Sequence, residues 1–343
     1  MKQPFILVLY SLPLRCFPDG TPDPIGRKSS LDRLQAVATA LRASGYRLQT
    51  LEFKDTWAAV LEKISKSRTD LIFNLCEEFR GHSKLEMNIA ALLEMIGIPF
   101  TGSSSLVLGL SQDKGKTKSL LAYHGIPTPA YVVLAPGDRN FSPSLRYPLI
   151  AKPDYEDGSL GIDNDAFAAD EKVLRRKVKS IHRSYRQPAL VEEYIGGREL
   201  NVSIIGNEKA KTLPISEIDF SSMPAGMPKI CSYAAKWMEG SREFAHTQPL
   251  CPADLKPDIR KRVNDFALKS YRILDCRDYA RVDIRLSTRG VPYVLEINAN
   301  PDISPDSGMV RSALAAGFSY DSFISRIVEV ALARSRRQSS GHR

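Results

Sequence analysis

The feature that most constrains this chain is a pair of apolar runs near its carboxyl end, YARVDIRL (279–286) and PYVLEINANPD (292–302). They are separated by a short connection containing Gly290, a spacing that predicts an antiparallel hairpin. Alternate residues of a strand share a face, so Arg281, Asp283 and Arg285 point one way, and Glu296, Asn298 and Asn300 share a face of their own. Pairing across the Gly290 turn can bring Asp283 beside Glu296. Two carboxylates side by side in an otherwise apolar sheet repel each other unless something neutralises them. A hard divalent cation with oxygen ligands does this, and Mg2+ takes its remaining ligands from phosphates and water. Arg281 beside such a site would offer positive charge to a phosphate or a developing oxyanion. Taken alone, the segment also fits a structural Arg–Asp ion pair.

The first hundred residues alternate in type. Phe5 to Leu9 reads as a buried strand. A helix is expected from Ser30, as N-cap, to Gly45 as its stop. Tyr46 to Phe53 and Asp70 to Leu75 read as further strands. Trp57 to Ser65 and KLEMNIAALLEMIG (84–97) read as helices. Strands alternating with helices imply a parallel, doubly wound sheet, whose ligands sit beyond the carboxyl ends of the strands. A second unit begins near Asp113, with a helix to Tyr123 and strands at 131–134, 148–152 and 189–194. It includes a charged helix at about 170–185. The last unit carries a strand from Glu199 to Ile205 and a Pro/Met/Gly segment before SYAAKWMEGSREF. An amphipathic helix over about 254–274, the hairpin, and helices at about 307–316 and 320–334 complete it. The division expected is 1–111, 112–195, 196–335 and a basic tail at 336–343.

Two further clusters bear on chemistry. Lys114 follows a capping Asp113, Lys152 ends an apolar strand, and Lys236 lies in a loop of mobile character. Lys152 precedes a loop with Gly158, Ser159 and Gly161, whose backbone N–H groups can approach phosphates. Singly, each lysine also fits an ordinary surface position. Glu192, Glu193, Tyr194 and Ile195 end a strand ahead of Glu199. Such a hinge can meet an adenine edge through its backbone while a carboxylate holds ribose hydroxyls. It also fits an acidic loop facing solvent.

The excess of 48 basic over 39 acidic residues suits an anionic ligand or nucleic acid, but equally a solvated surface, since Arg334, Arg336, Arg337 and Arg343 crowd the terminus. Five scattered cysteines (Cys16, Cys76, Cys231, Cys251, Cys276) lack metal or disulfide spacing, and the five histidines show no ligand spacing. No window approaches about 18 uninterrupted apolar residues, so no membrane span and a cytoplasmic location are expected.

The order of these clusters resembles the ATP-grasp superfamily, and within it the D-alanine–D-alanine ligase group. The resemblance rests on DLIFNLCEE, LLEMIGIPFTGSSSLVLGLSQDK, GIPTPAYVVL, PLIAKP, ALVEEYIGGRELNVSIIG and ARVDIRL…VPYVLEINANP, over roughly residues 70–335. It implies an α/β chain: a parallel doubly wound N-terminal domain, then a two-subdomain α+β ATP-grasp part. It implies ATP and two Mg2+ ions, with Mn2+ as a substitute, and small-molecule carboxylate and amine substrates joined through an acyl phosphate. On it, Lys114 and Lys152 contact ATP phosphates, and the loop at Gly158, Ser159 and Gly161 closes over them. Glu192 to Ile195 form the adenine hinge, with Glu199 on the ribose. Lys236 is the lid lysine. Asp283, Glu296 and Asn298 hold the metal ions, and Arg281 stabilises the tetrahedral intermediate. Relatives are often homodimers through the first domain; nucleic acid is not an expected partner.

The departures concern substrate. SLPLRCFPDGTPDPIGRKSS (11–30) stands where the family has a short loop and a glutamate-bearing helix. CEEFRGHSKLE replaces a histidine-glycine stretch, turning Glu77 and Glu78 toward the pocket. A family serine is Gly158, and a tyrosine after the lid lysine is Trp237. Ser307 keeps the place of a serine that binds the second substrate's carboxylate, but its neighbour is Gly308. The resemblance therefore implies an ATP-dependent carboxylate–amine ligase acting on an amino acid or peptide other than alanine. A phosphate-transferring ATP-grasp enzyme and a non-catalytic basic binding protein are the alternatives.

Overall fold

The computed structural model describes residues 3–14, 23–54, 56–138 and 144–340. Cys16, His342, Arg343 and positions 15–22 of the divergent early loop lie outside the described residues.

The continuous apolar run at the amino end has the pattern of a strand covered on both faces. It forms β1 (Phe5–Tyr10), followed by α1 (Pro24–Ala43), β2 (Arg47–Glu52), α2 (Trp57–Lys66) and β3 (Leu71–Leu75). The strands pair in parallel, in the order β2-β1-β3. Leu7 and Leu9 of β1 join one apolar cluster with Val60, Ile64 and residues of the helix that follows β3, while Ile6 and Val8 join another with Val37 and Leu41 of α1. Helices therefore cover both faces. α1 starts earlier than the expected Ser30, because Pro24 occupies the first turn and Asp23 accepts a bond from Gly26 N at 2.9 Å. Ser30 is buried inside the helix.

The chain continues through α3 (Glu86–Ile96), α4 (Ser105–Gln112) and α5 (Lys114–Tyr123), the last capped by Asp113 as expected. A four-stranded antiparallel sheet follows, of β4 (Tyr131–Leu134), β5 (Leu149–Pro153), β6 (Phe167–Ala168) and, after α6 (Glu171–Tyr185), β7 (Ala189–Glu193). Its order is β4-β7-β5-β6. Leu174, Val178 and Ile181 recur at helical spacing and seal α6 onto it.

The third sheet begins with β8 (Gly197–Ile205), β9 (Lys211–Thr212) and β10 (Ser216–Asp219). Two short helices, α7 (Tyr233–Trp237) and α8 (Arg242–Ala245), precede β11 (Gln248–Leu250). Thus Lys236, expected in an irregular loop, sits on a helical turn capped by Ser232. α9 (Pro257–Ile273) leads to the hairpin β12 (Tyr279–Ser287) and β13 (Pro292–Asn298). The sheet order is β11-β10-β8-β12-β13, with β9 on β8. Val263, Ala267 and Tyr271 of α9 fill the core behind it.

α10 (Gly308–Ala315) and α11 (Tyr320–Ser340) end the described chain. Phe323, Ile327 and Ala331 of α11 pack into the same cluster as Ile6 and Val8, so the last helix completes the first sheet's core. α11 runs past the expected end at 334. Arg334, counted among the basic residues that crowd the terminus, donates to the fully buried Asp278 (Nη2 to Oδ2, 2.9 Å) and to the Phe100 carbonyl at 2.7 Å. Among the described residues, no helix is long and apolar enough to cross a membrane.

Candidate active site

Hairpin register decides the centre of the site. Asp283 lies opposite Glu296, as the sequence implied, and Arg281 lies opposite Asn298, with a register shift just after Asp283. Arg281 Nε and Nη2 each donate to the Asp283 carboxylate at 2.7 Å. Asn201, opposite Asp283 on β8, donates at 2.8 Å, and Asn298 Nδ2 at 3.1 Å. The Glu296 carboxylate accepts no hydrogen bond from the described residues. Burial works against the charge on Arg281, but Asp283 and Glu296 outweigh it and raise its pKa.

Beside the hairpin, the end of β7 carries a buried ion triad. Glu192 lies 2.7 Å from Lys118 Nζ and 2.9 Å from Lys152 Nζ. Burial alone would raise the Glu192 pKa; the two ammonium groups outweigh it and hold it at about 2. Lys118 is pushed down by its own burial, only partly countered by Glu192. Burial also opposes the charge on Lys152, yet Glu192 and Glu296 keep its pKa raised.

Beyond Glu192, one guanidinium organises the hinge. Arg285 donates to the Ile195 carbonyl at 3.0 Å, to the Tyr194 hydroxyl at 3.0 Å and to Glu199 at 3.1 Å. Burial raises the pKa of Glu199, with Arg285 opposing. Glu193 accepts from Arg146 N at 3.0 Å. Opposite the hinge, the loop at Gly158 and Ser159 is tied to the α7 region. Trp237 Nε1 donates to the Gly158 carbonyl at 2.8 Å, and Ser159 Oγ to the Cys231 carbonyl at 2.9 Å.

These elements enclose a cavity of about 440 Å3. Fifteen expected site residues line it: Lys152, Gly158, Ser159, Glu192 to Ile195, Glu199, Lys236, Arg281, Asp283, Glu296, Asn298, Ser307 and Gly308. Three do not. Lys114 is buried and turned onto the Glu156 carbonyl at 2.6 Å and Asp157 at 3.2 Å, because a buried ammonium takes the nearest oxygen partners. Gly161 is pressed against the protein: a Cβ there would lie 2.6 Å from Pro153 Cγ. Glu77 lines a smaller adjoining cavity of about 160 Å3, where it pairs with buried Arg33. Arg33 also reaches Asp302 at 3.3 Å, and both cavities share Lys236, Trp237 and Arg281.

Sequence reasoning passed over Lys118, Asn201, Arg33 and Arg311, and gave Arg285 no role. Lys118 had a signal, since it lies four positions after Lys114 and shares its helix face. The others had none, because their partners come from other elements.

Among the described residues, no three His, Cys, Asp or Glu side chains are grouped as a metal site. The hairpin instead offers two carboxylates and an amide. Asn298 gives its Nδ2 to Asp283, leaving its oxygen as an acceptor, and Glu296 is uncommitted. Such oxygen donors fit a hard divalent cation.

A parallel N-terminal sheet followed by two antiparallel sheets that clasp a lysine- and carboxylate-lined cleft defines an ATP-grasp fold. The family model described as the D-ala D-ala ligase C-terminus matches residues 120–329, more than half of the chain, which belongs to the D-alanine–D-alanine ligase family. The structure resembles the D-alanine–D-alanine ligase of Bacillus anthracis complexed with ATP, at a TM-score of 0.77 and 25% identity over 98% of this chain and 99% of that one. A D-alanine–D-alanine ligase of Methylacidiphilum infernorum is 32% identical over 311 residues, 90% of this chain and 92% of its own. The uncharacterized protein y4sG of Sinorhizobium fredii is 36% identical over 303 residues, 86% of each chain.

Proposed function

We propose that the chain is an ATP-dependent carboxylate–amine ligase that forms an amide bond through an acyl phosphate, on an amino acid or peptide pair other than two alanines. The observation that carries this is the facing of Asp283 and Glu296, beside Arg281, on the wall of the cleft that also holds the Glu193–Ile195 hinge. The Bacillus anthracis likeness supports a nucleotide in that cleft.

In this reading the backbone of Glu193 to Ile195 meets the adenine edge. Glu199, oriented by Arg285, holds the ribose. Lys152 and the backbone at Gly158 and Ser159 hold phosphate oxygens, and Lys236 faces them from α7. Lys114, which bonds within the protein, serves the phosphates by its charge rather than by contact. Asp283, Glu296 and Asn298 would hold Mg2+, which supplies charge neutralisation for the triphosphate. A substrate carboxylate attacks the γ-phosphate, releasing ADP; an amine then attacks the acyl carbon and phosphate leaves. Arg281, now turned onto Asp283, is placed to take up the oxyanion of that second step. Glu77 and Ser307 line the ends where the two organic substrates would bind. A cytoplasmic location and assembly as a homodimer belong to the same reading.

The test is ADP and phosphate release by the purified chain against pairs of amino acids and dipeptides of both hands. Release only when acid and amine are both present is expected, and Glu296→Ala should abolish it. Normal turnover by that variant in magnesium buffer would refute the metal assignment. ADP without free phosphate would indicate phosphate transfer to a small molecule instead.

A further inference from the structure

The end of the cleft at Ser307 has a lining of its own. Beside Arg281 it is made by Asn201, Asp306, Ser307, Gly308 and Arg311. Gly308 sits at the first position of α10 and carries no side chain. A Cβ there would meet nothing closer than Asn201 Oδ1 at 3.6 Å, Arg311 Nη2 at 3.9 Å and Arg281 Cδ at 4.0 Å. The space is therefore open, and its boundary is polar: an amide oxygen and a guanidinium.

Arg311 is the unusual member of this wall. Its Nε is shut from solvent with no hydrogen-bond partner among the described residues. Nη1 donates to the Asp306 carbonyl at 3.0 Å, and no described carboxylate lies within ion-pair distance. Four other buried or half-buried arginines hold carboxylates, Arg33 with Glu77, Arg281 with Asp283, Arg285 with Glu199 and Arg334 with Asp278; Arg277 also lacks one, but it does not line the cleft and rests on the Gly102 carbonyl at 2.8 Å and the Phe100 ring. A guanidinium facing a cleft without its counter-ion matches an incoming anion, and planar carboxylates suit its fork. Burial depresses the Arg311 pKa and neighbouring Arg281 adds to this, with Cys251 and Asp306 opposing only in part.

We propose that Gly308 and Arg311 form a specificity pocket for an acidic side chain on the amine substrate, so that the amine is a dicarboxylic amino acid or a peptide beginning with one. This rests on the ligase reading and names its second substrate. Gly308 supplies the room and Arg311 the charge, with Asn201 beside them. Arg311 acts on specificity rather than on the reacting atoms.

The experiment is calorimetric titration of the full chain, preloaded with Mg2+ and a non-hydrolysable ATP analogue, with aspartate and glutamate of both hands and with their amides. At least one acid is expected to bind about 10- to 100-fold tighter than its amide, the range for a charge-assisted bond. Arg311→Gln should erase that preference while moving the amide's affinity less than threefold; Arg311→Lys should restore part of it. Gly308→Leu should exclude the acids. If the analogue binds but acids and amides bind alike, or if Arg311→Gln weakens both equally, the acidic pocket is wrong and the ligase reading stands. If the analogue does not bind to folded protein, both fall.

Discussion

Replacing Glu192 by Gln keeps the shape of the side chain and removes its charge, leaving two buried ammonium groups against a neutral amide. Burial opposes the carboxylate and the lysines favour it, and the balance moves its pKa from an ordinary 4.5 to about 2. That displacement corresponds to roughly 3 kcal/mol of folding stability. Because the charge on Lys118 is itself penalised by burial, this is a ceiling on the net worth of the triad. Removing one partner of a buried pair typically costs about 3–5 kcal/mol, so the two routes agree. For a cooperative unit of 150–250 residues, a loss of about 3 kcal/mol lowers Tm by roughly 6–12 °C. The assay is thermal unfolding at pH 7 of Glu192→Gln beside Glu192→Gln/Lys118→Met. The double variant should recover most of the loss, since it removes one of the stranded charges. The pH dependence has a definite sign. A depressed carboxylate pKa contributes stability that is complete above about pH 4.5 and is lost as pH falls toward about 2, and the variant should lack this component. A single variant within about 1 kcal/mol of the parent, well below the usual loss for a broken buried pair, would refute the argument. A double variant as unstable as the single would do the same.

Three other outcomes follow from the geometry. Trp237 and Trp57 are the two tryptophans of the sequence, so in a Trp57→Phe background fluorescence reports on the Trp237–Gly158 bond; Mg-ATP should change it, and Trp237→Phe should weaken ATP binding about 3- to 10-fold. An unchanged spectrum on saturation with Mg-ATP would separate that bond from nucleotide binding. Arg334→Ala strands the buried Asp278 and should cost about 3 kcal/mol in denaturant unfolding, whereas a loose tail would give no change. Gly161→Ala, at φ 74° with Pro153 Cγ 2.6 Å from the new carbon, should destabilise more than Gly158→Ala, at φ 65° with its nearest neighbour 3.8 Å away; equal effects in thermal unfolding would show that strain alone matters.

Much of the architecture follows from local patterns. The period-two runs of β12 and β13 and the Gly290 connection specify the hairpin, but the register of Ile284 with Val294 would carry on to set Asp283 opposite Leu295, and the shift after Asp283 is what brings it opposite Glu296. The continuous run Phe5–Leu9 with helices on either side specifies a covered parallel strand. Asp113 before Lys114 marks a helix start because the cap bond spans only three residues. In each case the deciding interaction lies within a few positions along the chain or across one short turn.

What local pattern could not decide is how distant side chains divide their partners. Lys114, at a helix start, and Lys152, at a strand end, share one expected role, contact with ATP phosphates, yet one turns onto Glu156 and Asp157 and the other onto Glu192 at the cleft. Arg285 reads as a strand residue until it is seen bonding Tyr194, Ile195 and Glu199 from another strand. Arg334 belongs to a basic terminus in sequence and to a buried ion pair in space. A charged group removed from water takes whichever opposite charge the packed sheets bring within reach, and that choice exists only once residues far apart in the chain share one interior.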